Sequence, residues 1–301
     1  MPPAISPGVC DLGNVELHYL EAGVGHLVVC LHGFPDHAPG MIPLLGRLAD
    51  SGFRAVAPFM RGYAPSTVRA GTYESAALAG DALGVANALA AGEDFSLIGH
   101  DVGGHAALHA AILQSDRVRG LVTLGAPHPA VMAGALRDDP HQLRRAWHEF
   151  VFLSPGFSER LAGADGCAFL AELVRTWSPI PPMQPEEWRA VTRTLGSRGV
   201  MTAALGVFRA RHGVAAPDPV LRASAAREHD PVDVDSLVVF GRDDGYVLPS
   251  THRLQGEEHF LRELRVLEVP GAGHWPHRER PDVVLDAIVQ FLRRRDRRAA
   301  R

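Results

Sequence analysis

Short apolar runs separated by alanine-rich stretches of helical period constrain this chain more than any other feature. The runs are Asn14–Gly23, His26–Gly33, Phe53–Met60, Phe95–His100, Arg119–Pro127, Ser236–Asp244 and Leu264–His274. They are rich in β-branched residues and are usually closed by Gly, Pro or Asp. Between them lie segments such as ESAALAGDALGVANALAA and, last, PDVVLDAIVQFLRRR, with Pro281 at a first helical position. Such alternation predicts an α/β fold, a mostly parallel sheet with crossover helices on its faces. The alternation stops after LGAPHP. From about Ala130 to Asp230 only helical stretches (HQLRRAWHEFVFL, GCAFLAELVRTW) and the turn SPIPPMQP follow. The division expected is a core of residues 1–129 and 231–301 with an all-helical cap, 130–230. The cap would sit over the C-terminal edge of the strands, where open α/β sheets bind ligands.

Composition narrows the partners. The 301 residues carry a net charge of −4, so neither nucleic acid nor an anionic membrane is expected as a partner. All the basic residues are arginine, a feature that reads as coding bias. The basic tail RRRDRRAAR reads as a solvated helix end. Cys10, Cys30 and Cys167 form no C-x-x-C pair, so no zinc site or disulfide framework is implied. MPPAISPG has no secretory pattern and no apolar run reaches membrane-span length. The expectation is a cytoplasmic monomer or homodimer that acts on a small molecule, without cofactor or metal.

Three residues stand at strand ends in the order acid, acid, histidine: Asp101 after SLIGH, Asp244 in GRDD and His274 in GAGH. Gly99, Gly103 and Gly104 around Asp101 suit a sharp strand–turn–helix elbow that exposes a nucleophile. LHGFPD, from Leu31 to Asp36, follows an earlier strand. There the Phe34 N–H would join that of Val102 as an oxyanion hole, with His32 holding the loop. Asp243 competes with Asp244 for orienting His274; the G-x-x-D spacing from Gly241 favours Asp244.

The set HGFPD, PFMRGYAPS, GHDVGG, GRDD and GAGHWP resembles the α/β hydrolases of the epoxide hydrolase and haloacid or haloalkane dehalogenase branch, over nearly the whole chain. The resemblance implies an α/β-hydrolase fold with a cap and an aspartate nucleophile. Attack on saturated carbon by Asp101 would leave an ester, which His274, oriented by Asp244, would hydrolyse. In that branch two cap tyrosines usually assist the epoxide oxygen. Here Tyr19, Tyr63, Tyr73 and Tyr246 all lie outside the cap, His148 stands at the first position and Phe208 at the second. His148, Trp147 and Phe208 are therefore the expected leaving-group and substrate contacts, and Trp177 and Trp188 are further pocket candidates. The residues that mark the dehalogenases are missing too: Val102 follows the nucleophile, His105 stands where an arginine would bind carboxylate, and Glu149 follows the cap histidine. Epoxide hydrolysis is the favoured reading. Dehalogenation by the same residues, or a catalytically silent small-molecule binding protein, are the alternatives.

Overall fold

The computed structural model describes residues 4–68 and 71–299, the side chains of 295–299 excepted. The last residues of the basic tail and the first three of the chain lie outside the described residues. Eight strands form one sheet: β1 (Ser6–Asp11), β2 (Glu16–Ala22), β3 (His26–Leu31), β4 (Phe53–Pro58), β5 (Phe95–His100), β6 (Val118–Leu124), β7 (Ser236–Gly241) and β8 (Leu264–Val269). Their order is β1-β2-β4-β3-β5-β6-β7-β8, antiparallel up to the β2–β4 pair and parallel beyond it.

The helices are α1 (Ile42–Ala49), α2 (Ser75–Leu89), α3 (Val102–Leu113), α4 (Pro129–Asp138), α5 (Pro140–Arg145), α6 (Trp147–Phe152), α7 (Phe157–Gly163), α8 (Ala168–Trp177), α9 (Pro185–Gly196), α10 (Val200–Arg211), α11 (Arg222–Ala225), α12 (Pro249–His252), α13 (Pro276–Glu279) and α14 (Pro281–Ala299). Two cores follow from strand alternation. Val29, Leu31 and Leu97 join the core that includes α2 and α3, while Val28, Cys30 and Ile98 join the one that includes α1 and α14. Because both faces are covered, β5 and β7 are buried throughout and read as continuous apolar runs.

Helices α4 to α11 form an all-helical insert between β6 and β7. HQLRRAWHEFVFL, which reads as one helix, is two short ones, α5 and α6, meeting at Ala146. The strand β1 (SPGVCD) escapes the apolar pattern because it is an edge strand, mostly exposed, where Pro7 costs no ladder bond in the interior. Among the described residues no helix is long and apolar enough to cross a membrane.

Candidate active site

Asp101 lies alone between the end of β5 and the start of α3, with φ 49° and ψ −119°. A non-glycine residue held in so unusual a conformation costs about 1–3 kcal/mol. Two backbone hydrogen bonds hold it there: its N–H to the Leu124 carbonyl at 3.0 Å, and the His105 N–H to its own carbonyl at 3.0 Å. The glycines around it are a consequence of close approach. A Cβ on Gly99 would lie 2.2 Å from the Gly103 oxygen, and one on Gly103 would lie 2.4 Å from the His32 oxygen. Helix and strands therefore meet backbone to backbone, which pushes the Asp101 side chain out at the tip.

The carboxylate faces two loops. Its Oδ2 accepts the Phe34 N–H at 2.9 Å. Its Oδ1 lies 3.7 Å from His274 Nε2, an ion pair too long for a hydrogen bond. His274 Nδ1 is 2.8 Å from Asp244 Oδ2, and Asp244 Oδ1 accepts the N–H groups of Tyr246 and Val247 at 2.8 and 3.0 Å. Asp243 points elsewhere, accepting the Gly271 N–H at 3.0 Å. The Val102 N–H is at the first position of α3, among the amides a helix leaves without an intrahelical partner. His32 ties this loop together: its Nε2 accepts the Met60 N–H at 3.3 Å, so its Nδ1 carries the hydrogen donated to the Gly33 carbonyl at 3.1 Å.

Charge follows this geometry. Burial alone would raise the Asp101 pKa, but His274, His100 and the Phe34 N–H hold it well below the usual carboxylate range. Burial alone would lower that of His274, but Asp244 and Asp101 together lift it to about 10. At neutral pH the pair is carboxylate and imidazolium.

Above Asp101 sits a roof of rings. Phe34 is edge-on to Phe152 and Phe208, at 5.6 and 5.3 Å between centroids. His148 is fully buried, 4.7 Å from both Trp177 and Tyr246, and 6.3 Å from Phe208. Trp177 and Tyr246 also pack on His274, at 5.5 and 5.1 Å. The Arg145 carbonyl acts on the His148 ring, but neither ring nitrogen makes a well-formed hydrogen bond. Burial lowers its pKa to about 4 against the weaker opposing pull of Glu149 and Asp101, so the ring is neutral at pH 7. His148 and Phe208 thus come together over the elbow. Trp147 stands at the rim of this group: it is 48% exposed, its ring edge-on to His148 at 6.3 Å and to Phe169 at 5.9 Å. Trp188 lines a separate groove with Ala171 and Met183.

Next to His148, Glu149 behaves oppositely. Also fully buried, it accepts the Tyr246 hydroxyl at 2.6 Å and lies 2.9 Å from His212 and 3.3 Å from Arg211. In the sequence Tyr246 lies outside the cap, and its place two residues after Asp244 is the available signal. Gln142 and Arg145 bind the same loop. Gln142 donates to the Tyr246 carbonyl and accepts from Leu248 and Thr251, while Arg145 donates to the Asp244 carbonyl at 2.7 Å. The Trp177 carbonyl accepts the N–H groups of Gly245 and His274, both at 3.1 Å. The helical insert therefore grips both loops that carry Asp244 and His274.

Three cavities with shared walls run inward to Phe34 and Val102, beside Asp101. An outer groove of about 420 Å³ shares His105, Arg211 and Glu228 with a chamber of about 100 Å³. The chamber shares Leu78, Val102 and Val207 with a gap of about 10 Å³ beside Phe34 and Tyr63.

The family model described as alpha/beta hydrolase fold matches residues 26–281. The chain is 26% identical to an epoxide hydrolase of Caballeronia sordidicola, covering 93% of this chain and 91% of that protein. It is 25% identical to epoxide hydrolase A of Mycobacterium tuberculosis, with 94% and 95% covered. The crystal structure of a Bacillus megaterium epoxide hydrolase with an inhibitor superposes with a TM-score of 0.80 at 22% identity, covering 95% of this chain and 100% of that one, which bears on the fold alone.

Proposed function

The chain belongs to the α/β-hydrolase fold family, and from that membership we propose that it hydrolyses epoxides to diols through a covalent ester on Asp101. One observation carries the reading: the nucleophile position holds a carboxylate, seated on the Phe34 N–H and facing a histidine backed by Asp244. A carboxylate attacking an ester would give only an anhydride. Attack on saturated carbon gives an ester that water can cleave. The relatives named as epoxide hydrolases point the same way.

The resting charges define the proton path. Asp101 Oδ1 attacks a ring carbon, the carbon–oxygen bond breaks, and its electron pair stays on the ring oxygen. Alkylation neutralises Asp101, removing one of the two carboxylates that hold the proton on His274. That proton passes to the alkoxide, which the unpartnered N–H of His148 meets as it forms. Neutral His274, oriented by Asp244, then takes a proton from water, and the hydroxide adds to the Asp101 carbonyl carbon. The oxyanion on Oδ2 keeps the Phe34 N–H and takes the Val102 N–H as its proposed second donor, each worth roughly 3 kcal/mol by the measure of known oxyanion holes. Collapse breaks the bond to the diol oxygen, which takes the proton of the new carboxylic acid. Asp101 returns as carboxylate and His274 as imidazolium.

Halide displacement would use the same pair. The epoxide reading is preferred because Val102 offers no side-chain donor to a halide, while the neutral imidazole of His148 supplies a donor to an alkoxide. The test is trapping: His274→Gln exposed to an epoxide should accumulate an adduct on the Asp101 peptide, seen as a mass gain. In oxygen-18 water, the first turnover of unsubstituted enzyme should give a diol without label. Label in that diol would sink the ester route.

A further inference from the structure

We infer that the substrate is a small, uncharged epoxide bearing a hydroxyl beside the ring, and that the chamber at His105 and Arg211 selects it against a carboxylate. This rests on the epoxide reading of Asp101 and deepens it to a substrate class.

The chamber lies where such a group would reach. Its wall includes Val102, the residue after the nucleophile, and the charge of Asp101 acts on both His105 and Arg211. At about 100 Å³ it has room for a few heavy atoms, well below the usual 300–1,000 Å³ of ligand pockets. His105, four residues after Asp101 on α3, is nine-tenths buried and lines both chamber and groove. An imidazole that lines a cavity can exchange hydrogen bonds with whatever fills that cavity.

The balance of charge then sets the class. Burial keeps His105 neutral, at about 3. The single guanidinium, Arg211, is already paired with buried Glu149, and the chamber wall adds Glu74 and Glu228. Three carboxylates around one guanidinium repel an anion, yet His105 and Arg211 still offer hydrogen bonds to a neutral hydroxyl. The outer groove sets Glu228 against Arg137 and Arg211, so the selection against an anion is made in the chamber itself.

Three C3 epoxides of nearly equal size isolate the claim: 1,2-epoxypropane, glycidol and glycidate. The kcat/KM of glycidol should exceed that of glycidate about tenfold or more at low salt, the ratio shrinking as salt rises. Glu228→Gln should narrow the glycidol-to-glycidate ratio several-fold. His105→Leu should reduce the preference for glycidol over epoxypropane mainly through KM. Turnover of epoxypropane with glycidate equal to or better than glycidol would overturn the inference alone. Turnover only of bulky epoxides would overturn it as well. If no epoxide of any size is turned over and His274→Gln traps no ester, the functional reading falls and this inference falls with it.

Discussion

The elbow that carries Asp101 and the ring roof above it face each other, yet they are built by opposite rules. In the elbow the backbone is strained, and its carboxylate is satisfied by the Phe34 N–H and the His274 charge. In the roof, the key polar side chain, His148, is buried without a well-formed hydrogen bond. Stability explains why the first is tolerated, because the surrounding hydrogen bonds over-determine it. Stability does not explain the second. A buried imidazole without partners costs stability, and a ligand that bonds to it offsets that cost. Glu149 sharpens the contrast, since one residue along the same helix a buried carboxylate is fully partnered.

The sharpest break would come at the elbow itself. Asp101→Ala should lower turnover by about 10⁴-fold or more, measured as diol release, with the fold intact by circular dichroism. The roof should separate activity from stability. His148→Phe is expected to lower kcat about 10²-fold while leaving the melting temperature unchanged or raised, because an apolar ring replaces an unsatisfied one. Gly103→Ala should do the reverse in kind, costing about 3 kcal/mol in chemical denaturation, as its Cβ meets two backbone carbonyls that cannot yield.

Proton linkage sets both regions against bulk pH. His32, His100 and His148 are held by burial near pKa 4, and His252 near 3, against an ordinary 6.5. These folded-state values are depressed, so the unfolded chain takes up more protons as pH falls from 6.5 toward 4. Each such histidine then removes about 1.4 kcal/mol per pH unit. His274 is the opposite case: its value is raised to about 10, so its contribution is complete below 6.5 and is lost as pH climbs toward 10. Denaturant midpoints across pH should peak near neutrality and collapse cooperatively below about pH 5. A profile flat down to pH 4 would contradict the burial of these rings. The smallest effect is expected at Trp147. Half-exposed and meeting the roof only edge-on at His148, its replacement by alanine should change kcat/KM less than about threefold, as changes at exposed residues usually do.

The parallel sheet, the helical insert and the elbow were legible because they depend on local pattern. Apolar runs of strand length, three glycines around Asp101 and the spacing from Gly241 to Asp244 carry their reasons within a few residues. Asp243 and Asp244 are adjacent, and Asp244, which the spacing favours, reaches His274 while Asp243 bonds Gly271.

The roof was legible only in part. His148 and Phe208 were found by position in a resembling segment. Tyr246 and Trp177 join them from other parts of the chain, stacked on each other at 5.1 Å. The grip of Gln142 and Arg145 on the Asp244 loop links residues about a hundred positions apart. The sequence by itself determined the sheet, the turn and the carboxylate at its tip, since short-range sterics and hydrophobic period suffice for those. Tertiary structure alone decided how the rings close over the carboxylate, that Tyr246 joins them and which charges line the chamber. Those depend on side chains brought together by packing, where neither period nor spacing carries the information.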